Sequence, residues 1–159
     1  MKYIKYGLPI LGAVLVFLIG SLLRPWFFAA AGDRMIAAFP AKPGESFSIR
    51  FIHSVQKTPV VENLVINDTQ DGFILISTKY QSFGVGLPFL AEEGEFHKEG
   101  DYFVFDQMNR RFSSLSLRTG VGTELTLTLQ DKEYRLYEQM PPGSRIDLYI
   151  APYYKKFLR

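Results

Sequence analysis

The feature that most constrains the fold is an alternation of apolar and polar residues that begins near residue 45. Phe47, Ile49 and Phe51 alternate with polar residues, and comparable runs follow along the chain, separated by turn signals about every ten residues. A period of two puts the apolar side chains on one face of a β-strand. No convincing amphipathic helix follows residue 33. The pattern predicts an all-β domain, an antiparallel β-sandwich or barrel of about eight or nine short strands, and leaves the choice between the two open.

An uncharged apolar run precedes the β region. Between Lys5 and Arg24 the sequence has no charged residue and is rich in Leu, Val, Ile and Gly. As a helix rising about 1.5 Å per residue, this run would extend roughly 27 Å, close to the hydrocarbon thickness of a bilayer. Lys2 and Lys5 favour a cytoplasmic N-terminus, and the aromatic residues 26–28 suit an interfacial belt. We therefore predict one N-terminal transmembrane helix.

This prediction divides the chain into two parts. Residues 1–31 form a membrane anchor with a juxtamembrane segment, and residues 32–159 form an extracytoplasmic β domain of a single-pass membrane protein. The alternative is a secretory signal that is cleaved near Ala31 and releases a secreted domain. The length of the apolar run and the position of Arg24 favour the anchor.

Charge and cysteine content exclude some classes of protein. Three of the eighteen basic residues precede Asp33, so the β region carries fifteen basic residues against sixteen acidic ones. A nearly neutral domain without a basic stripe argues against nucleic acid as a partner. The sequence contains no cysteine, which rules out disulfides and cysteine-based zinc sites.

Two stretches interrupt the strand pattern with residues that strand propensity would not choose. Residues 53–62 contain a histidine, an X-Pro step and an acid among valines, and residues 82–88 place two glycines and a proline around Val and Leu. An exposed Val-Gly-Leu-Pro tip would suit docking into a partner. We predict that both stretches form one end of the domain and its contact surface, with the candidate residues His53, Ser54, Thr58, Pro59, Glu62, Phe83, Gly84, Val85, Gly86, Leu87 and Pro88.

The sharpest hypothesis within these stretches is a pair formed by His53 and Glu62. Continued alternation directs both side chains into the core, where ionisable groups need each other or another partner. A hairpin loop with an even number of residues would set His53 opposite Glu62, whereas an odd loop would set it opposite Val61. The alternative is structural: His53 caps the end of its strand and hydrogen-bonds backbone carbonyls in the loop 56–59.

The same residues give little indication of catalysis. His53, Ser54 and Glu62 have the residue types of a nucleophilic triad, but adjacent strand residues point to opposite faces, which keeps Ser54 from His53. A metal site made of His53, His97 and a carboxylate lacks a close ligand pair. We therefore predict a protein without enzymatic activity, metal or cofactor, and keep a metal-dependent hydrolase as the third and weakest function.

The motifs His53-Ser-Val-x-x-Thr-Pro-Val-x-Glu62 and Ser82-Phe-Gly-x-Gly-Leu-Pro88 resemble those of a family of small bacterial proteins classed as a domain of unknown function. The resemblance covers residues 45–150 of the chain. Members of that family are commonly encoded beside tripartite ATP-independent periplasmic (TRAP) transporters of the TAXI subtype. No catalytic role comes with the family. The resemblance implies an exported accessory of a secondary transporter for organic anions such as dicarboxylates or amino acids.

These observations together predict a non-enzymatic, membrane-anchored accessory or interaction subunit of a TRAP-TAXI-type organic-anion transporter. Its partner would be the transporter permease or the substrate-binding protein. The alternative is an extracytoplasmic small-ligand-binding β-barrel with His53 and Glu62 at its mouth. The basic and aromatic tail, residues 153–159, would lie against anionic lipid headgroups or a partner, or fray in solvent.

Overall fold

The computed structural model describes residues 4–84, 87–88 and 90–157, except for the side chains of residues 4–9 and of Ala91. Within this part, a long helix precedes twelve strands. In chain order the elements are α1 (Ile4–Leu23), β1 (Pro25–Ala31), β2 (Arg34–Pro40), β3 (Ser46–Ile52), β4 (Pro59–Ile66), β5 (Phe73–Tyr80), β6 (Glu95–Glu99), β7 (Tyr102–Asp106), β8 (Arg110–Phe112), β9 (Ser114–Arg118), β10 (Thr126–Leu129), β11 (Lys132–Arg135), α2 (Leu136–Gln139) and β12 (Arg145–Pro152), with short 3-10 turns at Ala91–Glu93 and Tyr153–Phe157.

The strands form two antiparallel sheets. The small sheet has the order β2-β1-β12-β9, and the large sheet has the order β11-β10-β3-β4-β5-β7-β6, with β8 beside β5. The antiparallel all-β fold is confirmed, and of its two predicted forms the described strands build a sandwich, because neither sheet closes on itself. The strand count exceeds the predicted one for three reasons: the residues of β1 were assigned to the membrane boundary, β6 lies in a charged segment that reads as a loop, and β8, with three residues, is too short to show a period.

The core lies between the two sheets, and aromatic residues connect them. Phe27 of the small sheet stacks on Phe39 with the ring centroids 4.7 Å apart, and its ring also lies 5.4 Å from Phe47 and 5.6 Å from Phe73 of the large sheet. Ile49 is 1% exposed, as the alternation along β3 predicts. Burial of each such side chain contributes about 1.5–3 kcal/mol to the stability of the fold. The alternating apolar residues therefore hold the two sheets together.

Strand β1 corrects the predicted boundary of the domain. It lies between β2 and β12, with Phe27 opposite Phe39 on one side and Ile150 on the other. Phe27 and Phe28 are fully buried, so the prediction that they belong to an interfacial belt is wrong. The folded domain therefore includes the residues from Pro25 onward and does not begin at residue 32, because β1 is a central strand of the small sheet and not a juxtamembrane segment.

The predicted N-terminal helix forms as α1, and its large apolar side chains from Ile10 onward are exposed. Counting the described residues alone, no helix has both the length and the apolar character that crossing a membrane requires.

Candidate functional site

The loop between β3 and β4, residues 53–58, is held closed by its own backbone. The His53 N–H donates to the Thr58 carbonyl at 2.9 Å, and the Lys57 N–H donates to the His53 carbonyl at 2.9 Å. Lys57 has a φ of 56°, a left-handed conformation that tightens the turn at some cost for a residue with a side chain. Pro59 then begins β4. The sequence stretch that looked irregular is therefore a short, closed hairpin loop.

The imidazole of His53 organises this loop from the inside. The ring is 8% exposed, and its Nδ1 accepts the backbone N–H of Val55 at 3.3 Å and of Gln56 at 3.2 Å. A nitrogen that accepts two N–H groups offers its lone pair to them, so the geometry assigns the ring proton of the neutral form to Nε2. The predicted structural role of His53 is found in altered form, because the ring accepts two amide N–H groups of its own loop.

The second stretch meets His53 at Gly84. A Cβ atom at position 84 would lie 2.8 Å from the His53 Nε2 and 2.9 Å from its Cε1, well inside van der Waals contact. The Ser82 hydroxyl also donates to the Gln56 side-chain oxygen at 3.3 Å. We call His53, Gln56, Ser82 and Gly84 the His53–Gly84 junction. The two stretches lie together at one end of the domain, and close backbone approach explains the glycine.

The remaining residues of the second stretch divide between surface and core. Phe83 is 50% exposed, but Leu87 is 7% exposed and belongs to the core. Pro88 is buried as well, and its carbonyl accepts the Tyr80 hydroxyl at 2.5 Å. The prediction that Leu87 and Pro88 form a contact surface is therefore wrong. Val85 and Gly86, predicted for the same surface, lie outside the described residues.

An exposed group of aromatic rings continues from Phe83 across the edge of the large sheet. Phe83 lies 4.5 Å from Phe103 and 6.4 Å from Phe96, measured between ring centroids, and Phe96 is 51% exposed. Buried Tyr80, 5.5 Å from Phe83, supports the group from beneath, as does Phe105, 5.2 Å from Phe96. We call Phe83, Phe96 and Phe103 the aromatic patch.

The remaining residues of the first stretch do not form a reactive site. Ser54 is exposed on the loop, whereas His53 is buried. The Thr58 hydroxyl is buried and has no hydrogen-bond partner among the described residues, and Pro59 is half-buried. The described residues therefore do not arrange Ser54 and His53 as nucleophile and base.

The register of β3 and β4 shows that His53 and Glu62 are not opposite each other, contrary to the prediction. Ile52 pairs with Pro59 and Ile49 pairs with Glu62, so His53 faces Thr58. The loop has an even number of residues, as a His53–Glu62 pair requires. The centre of the turn, however, lies two residues earlier in the chain than such a pair needs. Glu62 is therefore level with a position four residues before His53, roughly 13 Å along the strand.

Glu62 nevertheless points inward, as the alternation predicts. Its paired neighbours Ile49 and Thr78 are buried, and directly opposite residues share a face of the sheet. The carboxyl borders a cleft of about 250 Å³ between the two sheets, lined also by Phe51 and Leu117. Loss of water raises the pKa of Glu62 above its ordinary value of 4.5, and the positive charge of Arg110 opposes this in part.

A larger groove of about 820 Å³ lies on the outer face of the large sheet. Ser48, Asn63 and Ser77 line it, with Glu45 and Asp131 also at the groove. The Gln130 side-chain nitrogen donates to one Glu45 oxygen at 2.7 Å. Two carboxylates disfavour an organic anion here, so this groove does not suit the ligand class that the sequence resemblance implies.

The second histidine of the chain lies away from the junction, on β6. His97 faces Glu99 at 3.3 Å and Asp106 at 3.6 Å on an exposed edge strand. Among residues 4–84, 87–88 and 90–157, no three His, Cys, Asp or Glu side chains are grouped as a metal site would require. The hydrolase alternative, which needed His53, His97 and a carboxylate together, gains no support.

Sequence reasoning missed most of the aromatic patch. Phe96 lies in a charged segment that reads as a loop, and Phe103 lies in a predicted strand whose neighbours were unknown. The available signal was a phenylalanine among five charged residues at 92–99, an exposed position where an aromatic side chain gains nothing from the core.

Comparison with known proteins identifies a family and no closer relative. The family model described as Domain of unknown function (DUF1850) matches residues 47–136, more than half of the chain. Neither the curated proteins nor the solved structures gave a match.

Proposed function

We propose a function from the premise that this chain belongs to the DUF1850 family: it is a non-enzymatic accessory subunit of a TRAP-TAXI-type organic-anion transporter. It acts by binding a protein of that transporter, the permease or the substrate-binding protein, at the extracytoplasmic face of the membrane. The observation that carries the binding role is the aromatic patch.

The patch has the composition of a protein-binding surface. Phe83 and Phe96 leave about half of each side chain in contact with water, although a buried position would be more favourable. Aromatic side chains of this kind dominate binding energy when a partner covers them. Lys98 lies on the same face of β6 as Phe96, with its ammonium 5.9 Å from the Phe103 ring centroid, and offers one charged group for directional pairing beside the rings.

The His53–Gly84 junction gives the motif residues a role in this surface. His53 fixes the loop 53–58 through its Nδ1, and Gly84 permits the chain after β5 to lie against the ring. Phe83 directly precedes Gly84, so the junction determines where the Phe83 ring lies. In this proposal the two motifs position the binding surface and perform no chemistry.

The membrane location rests on the N-terminal sequence and on β1. The uncharged run between Lys5 and Arg24 suits an anchor or a signal. Cleavage near Ala31 would remove β1, whose Phe27 and Ala29 are fully buried in the small sheet. An anchor that stays attached to the domain is therefore favoured over a secreted form.

A pull-down from native membranes tests the proposal. Full-length tagged protein is extracted in mild detergent, and the eluate is analysed by mass spectrometry. We expect recovery of a multi-span TRAP permease or its substrate-binding protein, at least tenfold reduced in the double variant Phe83→Ser/Phe96→Ser, because ~1.4 kcal/mol of lost contact is a tenfold change in affinity.

Val121→Ser is the matched control, since Val121 is 83% exposed and lies outside the patch. Its recovery should equal that of the unaltered protein, and circular dichroism should show all variants folded. Undiminished recovery in the double variant would contradict the patch as the binding surface. Recovery of the protein alone would contradict the accessory function.

A second candidate, the binding of a small ligand, is favoured by the cleft at Glu62. Four apolar side chains line the cleft together with Ser116, Thr123, Arg118 and the Glu62 carboxyl, whose pKa is raised by burial. A volume of about 250 Å³ is at the small end of ligand sites. Recovery of the protein alone in the pull-down would make this the leading candidate.

A further inference from the structure

The two ends of the folded domain meet beside the end of α1. The Tyr153 N–H donates to the Arg24 carbonyl at 3.0 Å, and the Tyr153 ring lies 4.2 Å from the Trp26 ring, centroid to centroid. Phe157 continues the group, 5.4 Å from Tyr153 in an edge-on arrangement. The 3-10 turn Tyr153–Phe157 packs against α1. The turn Tyr153–Phe157 is therefore docked where the helix ends.

This docking brings basic residues from both ends of the domain together into a positively charged surface. We call Arg24, Trp26, Tyr153, Lys155, Lys156 and Phe157 the terminal collar. Its lysines and Phe157 are exposed, Phe157 at 65%, and Trp26 and Tyr153 are half-buried. The Lys156 ammonium lies 5.6 Å from the Tyr153 ring centroid. No acidic residue lies in residues 23–26 or 151–157.

The collar adjoins an apolar surface that the domain does not cover. From Ile10 to Leu23 the large apolar side chains of α1 are 40–71% exposed. A helix that is apolar on all sides requires an apolar surrounding. Lysine and arginine extend from such a surrounding to water, and tryptophan and tyrosine prefer its boundary.

We propose that the terminal collar binds the phosphates of anionic phospholipids and seats the β domain on the membrane surface. The cationic side chains pair with phosphate oxygens, while Trp26 and Phe157 enter the headgroup layer. This inference rests on the proposed membrane attachment, to which it adds a lipid class and a fixed orientation. The aromatic patch is separate from the collar, in β6, β7 and the segment after β5, and remains available to a protein.

Trp26 is the only tryptophan of the sequence, so its fluorescence reports the collar directly. Full-length protein is reconstituted into vesicles of phosphatidylcholine with increasing fractions of phosphatidylglycerol. Lipids brominated near the headgroup or near the chain end serve as quenchers at two depths. We expect Trp26 emission to shift to shorter wavelength and to be quenched more by the shallow quencher, increasingly so as the phosphatidylglycerol fraction rises.

The double variant Lys155→Glu/Lys156→Glu tests the charge. Removing two lysines from an anionic surface weakens association by roughly fivefold per residue, and reversal repels the surface further. The dependence of Trp26 quenching on phosphatidylglycerol should therefore be lost. Lys42→Glu/Lys132→Glu is the matched control, because both lysines are exposed and lie outside the collar and the aromatic patch.

The outcomes separate the inference from the proposed membrane attachment. Quenching that is equal in all vesicles and in both double variants would keep the attachment and overturn the collar as a lipid-binding surface. Absence of quenching in every vesicle would overturn both. Loss of the phosphatidylglycerol dependence in Lys155→Glu/Lys156→Glu, with the control unchanged, supports the collar.

Discussion

The aromatic patch and the terminal collar are both exposed aromatic surfaces, but their charges differ. On its face of β6 the patch has one charged residue, Lys98, whereas the collar has three positive charges, at Arg24, Lys155 and Lys156. A single charge beside aromatic rings gives a protein partner one fixed position to pair with, and several positive charges match a layer of phosphates. The proposed partners therefore differ in class: a protein for the patch and a lipid surface for the collar.

The two surfaces also differ in their place in the fold. The patch belongs to the large sheet and the segment that follows β5, within the residues 47–136 that match the family model. The collar belongs to β1, β12 and the residues that flank them, outside that match. We therefore expect the patch to reflect what the family shares and the collar to reflect how this chain is positioned.

The largest effect is expected from Phe27→Ala, which tests whether the collar is continuous with the core. Phe27 is fully buried against rings of both sheets, so its loss should cost about 3–5 kcal/mol in the free energy of unfolding. Denaturant unfolding in mild detergent measures the difference. Val121→Ala, at an exposed position, should change little. A cost for Phe27→Ala near that of Val121→Ala would mean that β1 is a juxtamembrane segment outside the core and that the collar is not fixed to the domain.

An intermediate effect is expected from Gly84→Ala, which should break the patch and spare the collar. The added Cβ would lie 2.8 Å from the His53 ring, so the loop must move, at a cost of about 1–3 kcal/mol. The same denaturant titration measures this. Gly20→Ala in α1 is the control, because nothing lies within 4 Å of a Cβ there. The Trp26 emission maximum should stay constant in Gly84→Ala; a shift would mean that the two surfaces are coupled.

The smallest effect is expected from Glu62→Gln. Glu62 lies between the two sheets, so its substitution should alter neither the patch nor the collar. Because burial raises the pKa of Glu62 in the folded state, folding takes up a proton, and stability falls as pH rises from the ordinary value of 4.5 through the raised pKa. Glutamine stays neutral, so Glu62→Gln should be more stable than the unaltered protein above this range and equally stable below it. Unfolding titrations at several pH values, with exposed Glu95→Gln as the control, measure the difference. If the difference in the free energy of unfolding did not depend on pH, its cause would be a change in packing and not the ionisation of Glu62.

Local pattern predicted the strands better than it predicted their neighbours. The alternation of Phe47, Ile49 and Phe51 identified β3 and its buried face, and it placed Glu62 on the inner face of β4. It could not place the turn between these strands, because the backbone hydrogen bonds of His53 close the loop two residues early. A shift of two residues keeps every side chain on its face, so the alternation is blind to it.

Residue type alone gave wrong predictions where an apolar side chain suits both the core and an exposed contact surface. Phe27 and Phe28 follow an apolar helix and were predicted to lie at a membrane boundary, but both are buried in β1. Leu87 was predicted to be an exposed tip and is part of the core. An aromatic or aliphatic side chain gains the same free energy in any place without water, so the residue type does not specify which surface covers it.

The sequence by itself determined the all-β class, the face that each long strand buries and the position of the two stretches that interrupt the strand pattern. These follow from the period of two and from turn chemistry, which act between near neighbours in the chain. The tertiary structure alone decided that β1 lies between β2 and β12, that Gly84 lies against His53, and that Trp26 packs against Tyr153. Such contacts join residues that are far apart in the chain, and they form only when both sheets pack around one core.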